Sequence, residues 1–94
     1  MHTLSPKAEE FAAAIGQAFY ILNHVVKSIK DIEDGQERAA VSREIQASCE
    51  LFSQAGARAR RDAVRSMRDD EGMNQDQIAA AIGISRPRVS DLLR

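Results

Sequence analysis

Tryptophan is absent from this chain, aromatic residues make up 4% of it, and Cys49 is its one cysteine in 94 residues. So few rings exclude a large aromatic core. A single thiol excludes an internal disulfide, which fits a reducing compartment and a cytoplasmic location. Two prolines and five glycines leave few points at which a helix must break. No uncharged apolar run is long enough to cross a bilayer, and no basic start followed by an apolar stretch marks a secretory signal. Catalytic constellations are missing too: no set of His, Cys and carboxylate residues converges, and no glycine-rich loop could cradle a phosphate. His2, His24 and Cys49 lie too far apart for metal-ligand spacing. The chain therefore reads as a non-enzyme with no metal and no cofactor.

What is present is alanine, charge and helical periodicity. Net charge is −1, which looks wrong for a nucleic-acid partner until its distribution is followed. Residues 1–56 carry five basic residues (Lys7, Lys27, Lys30, Arg38, Arg43) against eight acids, and residues 57–94 carry eight arginines against six acids. Every base in the second part is arginine, the side chain best matched to phosphates and guanine edges. The local field, not the total charge, is what a polyanion meets. Two regions with different tasks are expected: residues 1–56 for helical oligomerisation and residues 57–94 for binding.

His2 to Leu4 reads as a frayed lead-in. Ser5-Pro6 then has the form of a helix cap followed by proline at the first helical position. From there Leu4, Ala8, Phe11, Ile15, Ala18, Leu22, Val25, Ile29 and Ile32 alternate at spacings of four and three, a heptad stripe. Phe19, Ile21 and Val26 widen it beyond the seam that one partner helix needs. The helix is expected to end near Glu33, with Asp34-Gly35 as its stop. At 1.5 Å per residue it would span about 40 Å, more than one small domain covers. A homodimer is therefore expected, with Phe11, Ile15, Phe19, Leu22, Val25, Val26 and Ile29 in its interface; a different protein partner would bury the same face.

A second helical pattern begins at Gln36 or Glu37, with Val41, Ile45, Cys49 or Ser48, Phe52, Ala55 or Gly56, Ala59, Ala63 and Met67 inward. It is either one helix to residue 69 or two broken near Gln54–Ala57, and the expectation is a break or bend there. Over Arg58–Asp70, Arg58, Arg61, Arg65 and Arg68 share a charged face, with Arg58 and Arg61 the better phosphate candidates because fewer acids surround them.

The last stretch is the most informative. Asn74 can cap a short helix with Gln77 returning the bond as a capping box, and Met73 can staple onto Ile78. Ile78, Ala79 and Ile82 would face inward, and Gly83 stands where a left-handed residue ends the helix. Ile84 would plug the corner, Ser85 cap the next helix and Pro87 sit in its first turn, with Val89 and Leu92 facing back. Gln75, Ile78-Ala79, Ile82-Gly83-Ile84-Ser85, Val89 and Leu92 together resemble the helix-turn-helix of bacterial and phage regulators, in particular phage-repressor-like (Xre-type) domains and the promoter-reading C-terminal region of sigma factors. The resemblance covers the C-terminal quarter of the chain. Xre-type domains continue with further helices, whereas this sequence stops at Arg94, so the N-terminal helices or a partner are expected to supply that cover.

The resemblance implies a second motif helix in the major groove of double-stranded DNA. Its readers would be Arg86, Pro87, Ser90 and Asp91, with Arg86 toward a guanine edge, Asp91 toward cytosine N4 and Pro87 toward a thymine methyl. Gln75, Arg88 and Arg94, with Arg58 and Arg61, would contact phosphates. The expected fold is all-α: a long N-terminal helical hairpin forming a dimerising bundle, then a tri-helical helix-turn-helix. The expected function is transcriptional regulation, as a repressor, or plasmid or phage maintenance. The alternative is an adaptor or antitoxin-like inhibitor that binds a partner through its N-terminal helices.

Overall fold

A computed structural model describes residues 3–94; His2, expected in the frayed lead-in, lies outside the described residues. All regular structure among them is helical: α1 (Pro6–Ser28), a 3₁₀ turn (Ile29–Asp31), α2 (Gly35–Asp69), α3 (Gln75–Ile82) and α4 (Arg86–Leu92). No described helix is long and apolar enough to cross a membrane. The chain divides into two compact units, Met1–Gln46 and Ala47–Arg94.

In the first unit, Ser5 caps α1, its hydroxyl oxygen accepting from the Ala8 N–H at 3.2 Å, and Pro6 opens the helix. The helix stops earlier than Glu33. It tightens into the 3₁₀ turn after Ser28, and Ile32 is extended; such tightening is common where the last carbonyls lack partners. Asp34 does not stop α1 but starts α2. Its carboxylate accepts from the Gln36 N–H at 2.8 Å and its carbonyl from the Arg38 N–H at 3.0 Å, satisfying N–H groups that a helix start leaves free. Gly35 has no positive φ and is simply the first residue of the helix.

No residue of α1 is buried. Its heptad stripe is open: Phe11 is 58% exposed, Ile15 and Phe19 are both 70% exposed. A pair of helices zipped together would cover such a seam. Among the described residues of this unit only Ala8, Ser28, Ile29, Ile32, Val41 and Ile45 are half-buried.

α2 corrects the expected break, for it is continuous from Gly35 to Asp69. Gly56 stays helical, and a Cβ placed on it would meet nothing within 4 Å. The cost of a helical glycine, about 1 kcal/mol against alanine, is tolerated without a kink. Cys49, expected inside the stripe, is exposed, as are Phe52, Ala59 and Ala63.

The second unit closes on a small core of Val64, Ile78, Ala79, Val89 and Leu92, packed against Met67, Met73, Ile82, Ile84 and Leu93. Ile78 and Val89 are fully enclosed. α2 ends in a left-handed Gly72, across which the Met73 N–H donates to the Met67 carbonyl at 2.9 Å, satisfying an orphan carbonyl of the last turn. Asn74 and Gln77 form a reciprocal capping box, with both side-chain bonds at 2.8 Å. Gly83 at φ 71° ends α3, and the N–H groups of Gly83 and Ile84 both donate to the Ala79 carbonyl. Ser85 caps α4 by accepting from the Arg88 N–H at 3.3 Å. Two short helices thus meet at a corner fixed by one glycine and two caps.

Candidate nucleic-acid interface

Because Val89 and Leu92 point into the core, helical geometry turns Pro87 to the far side of α4, sets Ser90 and Asp91 on either side of it and leaves Arg86 and Arg88 on the flanks, with Arg94 just past the helix end. Arg86, Pro87, Arg88, Asp91 and Arg94 are exposed and Ser90 is half-buried. Nothing in the second unit seals this face.

The flanks open onto two separate grooves. On one side Gln75, Arg86, Ser90 and Arg94 line an open groove of about 680 Å³, together with Arg68 and Asp76. On the other, Arg88 and Asp91 line a cleft of about 250 Å³ with Gly56, Ala57, Arg60, Arg61 and Leu92. Arg58 lines neither groove. The expected phosphate contacts Gln75 and Arg94 therefore stand on one side of α4, and Arg88 and Arg61 on the other.

Ion pairing divides the eight C-terminal arginines evenly. Arg86 Nη1 lies 3.5 Å from Asp76 Oδ2, and Arg94 Nη1 lies 3.7 Å from Asp91 Oδ1. Arg65 is 3.9 Å from Asp62 and also donates to the Arg94 carbonyl at 3.4 Å. Arg68 donates to Asp69 at 2.7 Å; this hydrogen bond raises the Arg68 pKa and holds the Asp69 carboxyl below its ordinary value. Among the described residues, Arg58, Arg60, Arg61 and Arg88 take part in no ion pair. These pairs are exposed and therefore weak, so an approaching phosphate can compete for Arg86 and Arg94. The unpaired arginines face no such competition.

Arg60 is the residue that sequence reasoning missed. The charged face expected from the sequence runs through Arg58, Arg61, Arg65 and Arg68, with Ala59, Ala63, Val64 and Met67 as the apolar side. The residue that α2 buries is Val64, and a face containing Val64 contains Ala57, Arg60 and Arg61 at seven, four and three residues before it. Centring the wheel on Val64 alone, and not on the wider arc it shares with Ala59 and Ala63, would have found it.

The remaining expected sites belong to the first unit. Phe11, Ile15, Phe19, Leu22, Val25 and Val26 are exposed on α1, and Ile29 is half-buried in the turn. Among the described residues no group of three His, Cys, Asp or Glu side chains could hold a metal ion. Comparisons with protein-family models, curated proteins and solved structures find no match for this chain, so its function is read from its own residues.

Proposed function

We propose that this protein is a sequence-specific double-stranded-DNA-binding regulator that acts as a homodimer, with α4 as its reading helix. The observation that carries this reading is the corner at Gly83. One face of α3 and α4 is locked into a core by Ile78, Val89 and Leu92, while Arg86, Pro87 and Asp91 stay exposed outside it. A reading head needs that division: a rigid inner face to hold the helix and polar side chains free to meet base edges. In this reading Arg86 donates to a guanine, Ser90 and Asp91 meet neighbouring bases, and Pro87 touches a thymine methyl. Gln75, Arg88, Arg94 and Arg61 contact phosphates, and Arg61 is better supported than Arg58, which lines neither groove beside α4. Such a protein would repress a promoter or serve plasmid or phage maintenance in the cytoplasm.

The open stripe of α1 supports the dimer. Phe11, Ile15 and Phe19 are each more than half exposed and Leu22, Val25 and Val26 more than a third, a continuous apolar strip of the kind that the core of an interface covers. Light scattering on the pure protein together with a gel shift on a random DNA pool tests both parts. A stable dimer that retains DNA supports the proposal. The same open stripe favours a second reading, an adaptor or antitoxin-like inhibitor that buries α1 on another protein. A monomer that aggregates alone and retains no DNA would support that instead.

A further inference from the structure

We infer that Arg60, Arg61 and Arg88 form a binding cleft for one phosphate group between α2 and α4. Three arginines line this cleft, and none of them is in an ion pair among the described residues. Three of the four unpaired arginines of the C-terminal region thus converge on one opening, while the paired ones lie elsewhere. The α2 side is completed by Gly56 and Ala57 and the α4 side by Leu92, which put no long polar side chain in the way; at Gly56 even a Cβ would meet nothing within 4 Å. The one acid in the lining is Asp91, and its carboxylate lies 3.7 Å from the Arg94 guanidinium. Uncompensated guanidinium groups around a small opening fit the oxygens of a phosphate, which they can grip in pairs.

The phosphate comes either from a nucleic-acid backbone or from a small phosphorylated molecule. The backbone source rests on the DNA reading above and would fix the register of α4 on the duplex; the cleft itself does not depend on it. Two probes separate the sources: inorganic pyrophosphate and a duplex of random sequence. The readout is the Nε–Hε resonance of each arginine in the ¹⁵N-labelled full chain. Signals of Arg60, Arg61 and Arg88 are expected to shift together with one affinity, with Arg58 unmoved. Shifts spread evenly over all eight C-terminal arginines, or no shifts with either probe, would overturn the cleft.

With the duplex, the R60A/R61A/R88A variant is expected to flatten the slope of log K against log salt by about 0.9, the loss of one B-DNA phosphate contact. Asp91→Asn is expected to strengthen binding of both probes a few-fold. A duplex that binds with an unchanged salt slope in the triple variant would overturn the cleft and leave the DNA reading standing. Shifts with pyrophosphate but not with the duplex would support the cleft and count against the DNA reading.

Discussion

The two units of this chain use similar helical sequence to opposite ends. Residues 47–94 enclose Val64, Ile78 and Val89 almost completely, whereas α1 buries nothing along 23 residues and leaves Phe11, Ile15 and Phe19 more than half exposed. The first pattern closes a small core, and the second leaves its apolar side chains in the open. Hydrophobic periodicity alone does not distinguish them, because it states which face wants burial and not what covers it.

The largest expected effect breaks or upholds that contrast. Ile78→Ala should cost about 2–5 kcal/mol of unfolding free energy through lost transfer energy and an unfilled cavity. Phe19→Ala in the dilute monomer should change stability by less than about 0.5 kcal/mol, yet abolish any dependence of the melting temperature on protein concentration. Chemical denaturation at two concentrations reads both; an equal cost for the two substitutions in the monomer would erase the distinction.

A smaller contrast lies between two glycines of the second unit. Gly83 holds φ at 71°, where an L side chain is strained, so Gly83→Ala should destabilise by about 1–2 kcal/mol. Gly56 is helical with open space around it, so Gly56→Ala should stabilise by about 0.5–1 kcal/mol. Thermal melts of the two variants should move in opposite directions.

A weaker effect is expected at Asp76, whose carboxylate engages Arg86. Asp76→Asn frees the guanidinium and removes a repelling charge, so duplex affinity should rise a few-fold, while the loss of an acid from the first turn of α3 costs about 0.3–1 kcal/mol of stability. Fluorescence anisotropy and a melt measure the two separately. The smallest effect is that of pH on Asp69. Its pKa is lowered by the hydrogen bond from Arg68, so its contribution is present above the unfolded-state value near about 3.9 and is lost as pH falls through the lower folded value. Asp69→Asn should lower stability slightly at neutral pH and leave it unchanged below the folded value, so the acid limb of the stability curve flattens.

Local chemistry is what the sequence made legible. Ser5, Asn74, Gln77, Gly83 and Ser85 each act through bonds to residues within a turn of themselves, and each does in the structure what its type and position foretold. Non-local matters were harder. Gly56 looked like a hinge because its propensity cost is local, but an unstrained helical glycine needs no bend. Asp34 was read as ending one helix when its carboxylate begins the next, since an aspartate beside a glycine fits either end. Arg60 escapes the pattern because Ala59, Ala63, Val64 and Met67 span so wide an arc that the sequence does not fix its centre, which the burial of Val64 does. Arg86 and Asp76 are ten residues apart, and only the folded corner brings them to 3.5 Å.

The most direct test of the reading head is selection from a random DNA pool with the native protein and Arg86→Ala side by side. The native chain should enrich a two-fold symmetric sequence whose half-sites lie about one helical turn apart or a multiple of it. The variant should lose preference at one base pair in each half-site, at a cost of about 1–3 kcal/mol. An identical motif from both proteins would contradict the assignment of α4, and no enrichment by either would contradict DNA reading itself.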